Sequence, residues 1–514
     1  MRFKIKLLGY IVFAFSTNLI SAQLVNSNFG TNGAVVTDFA NAVDNFCTMT
    51  TLPDGKIMLF GSSTLAGVDY FGYSYTAINS FGQPNVLSVV KYNTDGNLDT
   101  SFGTNGKLFY HVDSYQRIVN ASSYCVAQND GKVVLALTTG GLTKTRVIVY
   151  RFLPNGILDP EFGVNGTTYL ESEEVYHVLL DANSNILVLG KKGLSGSVER
   201  LTPNGFSDQT FGTLGVSLIT DNGALVYPKK AKIMNDNTIL CFGETDNSSA
   251  SDDVIFFKVS DNGSFDTSFG IKKITNGIYE NDNYISQFEL LPDSTILALT
   301  VGGYYNSNFT ALYSGRLYKI DLNGTPITSF NSTGYINLAY KPYRGLIKIL
   351  PNQNIFYSYI TDTGGLNNIA VTSNGSSVSQ SYPLVNIGNS ASVVFDNYLY
   401  VGYDNGDFKI NGFLFDATLS VNHPEALTST VYPNPVKDFV NIAVEALEGD
   451  NVQVEVYNFT GAMMAVFHKK SYQDHKQVFY ENLNNYASGI YFFKIKSEKG
   501  TKSIKAVKEL RSEV

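Results

Sequence analysis

Apolar residues in this chain fall into short continuous runs, each led by a tight polar turn. Seven such runs stand at residues 57–60, 133–137, 186–189, 239–242, 296–299, 355–359 and 398–401. They are rich in β-branched or aromatic side chains and do not alternate strictly with polar ones. That is the pattern of a strand buried on both faces. The turns ahead of them read Pro53-Asp54-Gly55, Asn129-Asp130-Gly131, Asn183-Ser184-Asn185, Asn235-Asp236-Asn237, Pro292-Asp293-Ser294, Pro351-Asn352-Gln353 and Asp396-Asn397. Gly or Asn takes positive φ in such turns and Pro fixes their entry, so hairpins are predicted.

A longer repeat encloses these runs. Phe-Gly-x-x-Gly occurs at residues 29–33, 102–106, 162–166 and 211–215. Phe269-Gly270 keeps its first half, and Asn331 follows Phe330 where the first glycine would stand. Each copy predicts four strands. Strand A precedes the hairpin turn, B is the apolar run, C ends before an Asn/Asp-Gly turn, and D follows Phe-Gly-x-x-Gly. Repeats of this length and content predict a β-propeller, with A innermost and D outermost. The signature at Phe29 has no A, B or C strand before it, and the last copy has no signature after it. Joining the two ends would complete one sheet and remove exposed edges. The expectation is all-β: a seven-bladed β-propeller closed by an N-terminal strand, followed by a small C-terminal β-sandwich.

Composition adds the route and narrows the partners. Of 514 residues, 44% are hydrophobic and only 16% charged, as a globular chain of short strands and turns requires. Arg2, Lys4 and Lys6, a short apolar stretch at 7–15 and small residues at Ser21-Ala22 read as a signal peptide cleaved between Ala22 and Gln23. No later apolar run is long enough to cross a bilayer, so no transmembrane anchor is expected after signal removal. Residues 23–430 carry 23 basic against 35 acidic side chains, a net of −12. An acidic body repels phosphate backbones, which argues against nucleic acid as a partner. Cys47, Cys125 and Cys241 lie in or beside apolar runs and read as buried free thiols, a Cys47–Cys125 bridge being the alternative.

Two family resemblances follow from these motifs. Leu-Pro-Asp-Gly-Lys at 52–56, followed by Leu-Asp-Thr-Ser-Phe-Gly-Thr-Asn-Gly at 98–106, resembles the delta-60 repeat family of bacterial secreted and surface proteins. The resemblance covers about residues 24–420 and is most specific over 50–166. It implies a propeller and supplies no catalytic residues. The C-terminal segment carries Tyr432-Pro433-Asn434-Pro435, alternating strands at 440–444 and 452–457, an Asn-Phe-Thr-Gly turn at 458–461, Ala487-Ser488-Gly489-Ile490-Tyr491 and a basic final strand with Lys502, Lys505 and Lys508. It is similar to the type A sorting domain of the Bacteroidetes type IX secretion system. That resemblance implies passage through the periplasm and across the outer membrane by the type IX machinery. The expected layout is a signal peptide at 1–22, propeller at 23–420, linker at 421–430 and sorting domain at 431–514.

Chemistry is sparse. Of five histidines only His111 and His177 lie in the propeller, at unequal repeat positions, and both are read as surface or loop residues. No metal spacing and no cofactor motif is found, since no Gly-Lys-Ser/Thr or helix follows the glycines. Asp95 and Asp99, with Asn155/Asp159, Asn204/Asp208 and Asn262/Asp266 at equivalent places, are read as Asx-turn residues; calcium needs more oxygens. Phe29 to Phe102 spans 73 residues against 49 to 61 for the other intervals. The excess lies in a B–C loop at 62–85 holding Tyr70, Phe71, Tyr73 and Tyr75, and a smaller one at 302–314 holds Tyr304 and Tyr305. Such loops share a face with the D–A connections and are candidate ligand-binding walls. The chain is therefore read as an exported, non-enzymatic binding propeller for an extracellular polysaccharide, peptide or surface component. A secreted hydrolase or lyase with carboxylates in the channel, or a purely structural repeat protein, are the alternatives.

Overall fold

The computed structural model describes residues 24–39, 44–63, 67–68, 74–75, 86–112, 117–140, 145–221, 224–246, 253–274, 281–305, 311–338, 342, 345–350, 353–361, 365–384, 390–396, 398–404, 407–414, 429–445, 451–458, 463–470, 476–497 and 500–509. The signal segment with Ala22 and Gln23, most of the 421–430 linker, and Tyr70, Phe71 and Tyr73 lie outside them. Contacts divide the chain into two compact units, residues 1–419 and 420–514. Among the described residues no helix occurs.

In the first unit, four-strand antiparallel meanders follow one another in the order A, B, C, D. The first runs Asp44–Thr51, Ile57–Ser63, Val86–Tyr92, Lys107–His111, and the second Arg117–Ala127, Val133–Gly140, Thr145–Phe152, Thr167–Tyr169. The third (Glu174–Leu180, Ile186–Lys192, Ser195–Leu201, Val216–Asp221) and fourth (Ala224–Ile233, Ile239–Asp246, Val254–Val259, Lys272–Ile274) are linked by pairing of Thr220 with Leu225 and Asp221 with Ala224. The fifth is Asn281–Leu290, Ile296–Tyr305, Ala311–Ile320, Tyr335–Leu338; the sixth is Gly345–Ile349, Ile355–Ile360, Leu366–Val371, Ser377–Leu384. The last begins Ser390–Phe395, Tyr398–Asp404, Phe408–Leu414. Leu24–Val25 and Ala34–Thr37, from the start of the chain, both pair with Phe408–Leu414 and complete it. Each A strand touches the A strand of the next meander, and Ser390–Phe395 touches Asp44–Thr51, so the inner strands form a circle.

The core lies between meanders. Every described residue of Ile57–Ser63 and of Val133–Gly140 is buried, because both faces of a B strand meet a neighbouring sheet. The signature phenylalanines serve as wedges. Phe102, from the first meander, packs with Val133, Ile148 and Phe152 of the second. Phe162, Phe211, Phe330 and Phe29 enter the following meander in the same way. The residue after each wedge then donates its backbone N–H to the C–D turn of that next meander: Gly30 to Asp95 O (2.7 Å), Gly103 to Asn155 O (3.0 Å), Gly163 to Asn204 O and Gly212 to Asn262 O (both 2.7 Å). These glycines have φ of 51–57°, and a Cβ on any of them would stand 2.2–2.5 Å from the carbonyl oxygen four residues on. Asn331 makes the equivalent bond to Asn374 O at φ 51°, a conformation Asn tolerates.

Strand C reinforces the clasp. Arg151 binds Asp159 at 2.9 Å, lies 4.7 Å over the Phe162 ring and donates to Pro203 O of the next meander. Lys91 with Asp99 and Pro154 O, and Arg200 with Asp208 and Asp261 O, repeat the arrangement. Burial would raise the Asp99 carboxyl. Hydrogen bonds from Ser101 and Lys56 and the charge of Lys91 outweigh it and hold the group well below the usual range. The recurring aspartates are thus turn and clasp residues.

The second unit is a sandwich. Ser429–Tyr432, Phe439–Glu445 and Lys476–Asn482 form one sheet; Met463–Lys470, Asn451–Asn458, Gly489–Ser497 and Gly500–Lys508 form the other. Val440, Ile442, Val454, Val456, Phe493 and Ile495 fill the space between them. Asn434 joins the first motif to the final strand, accepting from Val507 N–H at 2.9 Å and donating to Lys505 O at 3.1 Å. The Tyr432-Pro433 and Asn434-Pro435 bonds are cis. Tyr491 is buried and its hydroxyl donates to Ala487 O, whereas Tyr432 is exposed. Gly489 opens the adjoining strand.

Candidate functional site

Four inner strands break register at one equivalent place. One extra residue enters strand A at Cys47, Tyr176, Lys229 and Ser286, each between residues paired with consecutive positions of strand B. In three of them the B residue opposite is Gly61, Gly190 or Gly243. A Cβ there would stand 2.5, 2.3 and 2.1 Å from the carbonyl oxygens of Asn45, Glu174 and Tyr227. Glycine lets the bulged backbone close on its partner. Bulges at strand rims re-aim side chains, and here they bring two successive residues of strand A to the channel wall.

The wall encloses a cavity of about 550 Å³ lined by residues from all the A strands, the sixth contributing Gly345 alone. Gly345 and Ser390, which line it, begin their strands, so the cavity reaches the end where D–A and B–C connections emerge. Lys229 lies 3.6 Å from the Tyr176 ring centroid, 5.5 Å from that of Tyr227 and 3.8 Å from the Glu244 carboxylate. Lys230 lies 5.4 Å over Tyr124. Tyr124 meets the His177 ring edge-on at 6.4 Å, and His177 Nδ1 accepts the Ala231 N–H at 3.3 Å. Burial, then the charges of Lys230 and Lys232, hold the His177 imidazole well below its ordinary value. It is therefore neutral at pH 7, with its proton on Nε2.

A carboxylate cluster stands apart from this lining. Oxygens of Asp38, Asp44 and Asp407 lie within 4.8 Å of one another, where the N-terminal segment enters the first meander. Asp44 accepts from Phe39 N–H at 3.0 Å and from the Ser63 hydroxyl. Burial pushes its carboxyl up to about 6 against those hydrogen bonds, and Asp38 and Asp407 add to the rise. A second cavity, about 690 Å³, lies along outer strands of the second and third meanders, with Val164, Tyr169, Phe206 and Leu214 exposed.

The two perturbed groups give opposite pH slopes. The unfolded chain takes a proton on His177 near pH 6.5 that the fold refuses, so stability falls as pH drops below about 6.5. Asp44 favours the protonated form when folded, so its contribution is full below about pH 4 and is lost as pH rises through about 6. Thermal unfolding from pH 4 to 7.5 checks both. His177→Gln should flatten the acid-side loss and Asp44→Asn the rise-side loss; unchanged profiles would refute the assignment.

The structure corrects several sequence readings. His177 lines the channel, because the bulge at Tyr176 turns it inward; His111 ends an outer strand. The span 302–314 is largely hairpin, since strands B and C continue to Tyr305 and from Ala311, with Tyr304 opposite Leu312 and Tyr305 opposite Ala311. Its Tyr residues favour continued pairing. In the first B–C connection, Gly67–Val68 pairs with Ser74–Tyr75. None of the three cysteines forms a disulfide, so the Cys47–Cys125 bridge is set aside, and both of those residues line the cavity. Sequence reasoning missed Tyr124, Lys229, Lys230 and Tyr284. The glycine closing an apolar B run was the available signal.

Comparison with known proteins finds a family match within each unit. A secretion-system C-terminal sorting domain matches residues 430–509, and a β-propeller domain of unknown function (DUF5122) matches residues 74–102 and 128–162. No curated protein matches the chain. Among solved structures, the polysaccharide lyase Uly1 is 10% identical, covers 72% of this chain and 90% of its own, and has a TM-score of 0.42. PorZ, a surface component of the type IX secretion system of Porphyromonas gingivalis, is 11% identical over 91% of this chain and 70% of its own, with a TM-score of 0.27. Drosophila Plexin A in complex with Semaphorin 1b gives 8%, 75%, 87% and 0.41. At these scores no activity is carried across. The chain is a β-propeller protein with a C-terminal type IX sorting domain, exported to the cell surface or beyond it.

Proposed function

We propose that this protein binds an extracellular ligand at the D–A/B–C mouth of a seven-bladed propeller channel, after export that begins with residues 1–22. The observation that carries the reading is the set of aligned bulges at Cys47, Tyr176, Lys229 and Ser286, which bring polar and aromatic side chains to one cavity. Sites of that size, with a few converging polar groups, hold small ligands or the ends of larger ones. Tyr70, Phe71, Tyr73 and Tyr75, which in sequence fall between strands B and C of the first meander, and Tyr304 and Tyr305, which end strand B of the fifth, are proposed to extend the same mouth. A glycan and peptide array probed with the exported protein tests this. A ligand should bind, and Tyr124→Ala should weaken it at least tenfold. An empty array, or full binding by the variant, refutes the reading.

A second reading has its own support. Asp38, Asp44 and Asp407 converge, and an Asp44 carboxyl at about 6 suits a general acid near neutral pH. A secreted hydrolase or lyase should release products from a polysaccharide or peptide panel, and Asp44→Asn should abolish release. Release unaffected by that change would sink it.

A further inference from the structure

Three departures from the repeat gather in one outer groove, the cavity of about 690 Å³ between the second and third meanders. Val164 stands where other signatures have Thr31, Thr104 and Thr213. Phe206 follows its Asn-Gly turn where Asn97, Ser264, Thr325 and Ser376 follow theirs, Ile157 being the half-buried exception. Leu214 stands where other signatures have Asn32, Asn105 and Asn165, at φ 55° against their 53°. Asn tolerates that left-handed conformation, whereas a leucine is strained in it. Val164, Phe206 and Leu214, with Tyr169, are each more than half exposed. The core gains little from them, and the backbone bears strain at Leu214. Exposed apolar side chains gathered in this way mark a contact surface. Thr168 Oγ1 donates to Gly205 O at 2.7 Å, which ties the two walls together, and Arg146 lies 5.1 Å over the Tyr169 ring.

The chemistry of the groove selects its occupant. The charged side chains that line it are engaged: Lys192 lies 3.7 Å from Glu171, Arg200 binds Asp208 and Asp261, and Glu199 accepts from Ser172 N–H. A complementary occupant is therefore uncharged there. Valine and leucine offer a sugar neither a hydrogen bond nor a π face, but they fit aliphatic side chains. One wall, Thr167–Tyr169, is also the end strand of its sheet. Gly166 O accepts from Arg151 N–H and Leu170 N–H donates to Val147 O. Tyr169 is out of phase with both, so its own N–H and C=O turn to the open edge. An extended backbone can pair there and lay alternate side chains in the groove.

We propose that this groove binds an extended segment of another polypeptide, uncharged and apolar at alternate positions, as an added outer strand. The site is separate from the channel, so it stands whatever the channel holds. It is tested by fluorescence anisotropy of labelled, end-blocked octapeptides that alternate threonine with valine, leucine or phenylalanine, titrated with the exported protein. Each is measured beside a copy N-methylated at alternate amides, which cannot pair as a strand. At least one peptide should bind ten times more tightly than its methylated copies. The double change Phe206→Ser with Leu214→Asn restores residues that other repeats use. It should weaken binding at least tenfold and leave the thermal midpoint at or above the parent's. Peptides that bind no better than their methylated copies overturn the proposal, as does full binding by the double variant. Earlier melting of that variant would assign these side chains to the fold and overturn it as well. A parent dimer that the double variant dissolves would give the groove to a second copy, with the same result.

Discussion

Deletion of residues 430–509 should leave the propeller in the periplasm. The segment matches a sorting domain over its whole length and packs a core of its own from Val440, Ile442, Val454, Val456, Phe493 and Ile495. The two units are each compact by themselves, so its loss should remove the address without unfolding the rest. Surface labelling of intact cells should fall at least tenfold, with the protein recovered soluble from the periplasm. Normal surface labelling of the truncated chain would contradict the assignment. Asn434→Ala is a finer probe. It breaks the bonds to Val507 N and Lys505 O that tie the first motif to the final strand. It should lower surface delivery through fold rather than through a lost contact with the machinery.

Phe29→Ala should open the ring. Phe29 is fully buried against Tyr92, Tyr400 and Ile410, 5.0 Å from the Tyr400 centroid. Truncating such a phenylalanine costs about 3–5 kcal/mol. The loss falls on the one joint that unites the two ends of the propeller. Leu24–Val25 and Ala34–Thr37 would loosen from Phe408–Leu414 and leave its edge unpaired, an invitation to aggregate. Phe269→Ala is the control: Phe269 is only partly buried and follows no full signature, so its loss should cost less. Urea unfolding and light scattering check both. A Phe29→Ala protein as stable and monodisperse as the parent would contradict closure by this strand.

The fold was legible because repetition amplifies weak signals. One apolar run such as 57–60 could be helix or strand; the same run behind a hairpin turn at each repeat could only be a strand. The meaning of Phe-Gly-x-x-Gly was less accessible. Its glycine reads as a turn residue, yet Gly103 also binds Asn155 of the next meander, a contact more than fifty residues away in sequence. The site was the least legible part. A bulge leaves at most a glycine on the facing strand, and His177 or Lys230 looks like any polar residue in a strand. Aromatic loops at 62–85 drew attention because length is visible in one dimension. Channel lining arises only when strands far apart in sequence converge.

The most direct test of the binding account is oxidative side-chain footprinting of the exported protein with and without its array-selected ligand. Oxidation of Tyr124, His177 and Tyr284, which line the central cavity, should fall, while Tyr169 and Phe206 at the outer groove stay unchanged. Protection of Tyr169 and Phe206, with Tyr124, His177 and Tyr284 unaffected, would place the ligand outside the channel and contradict it.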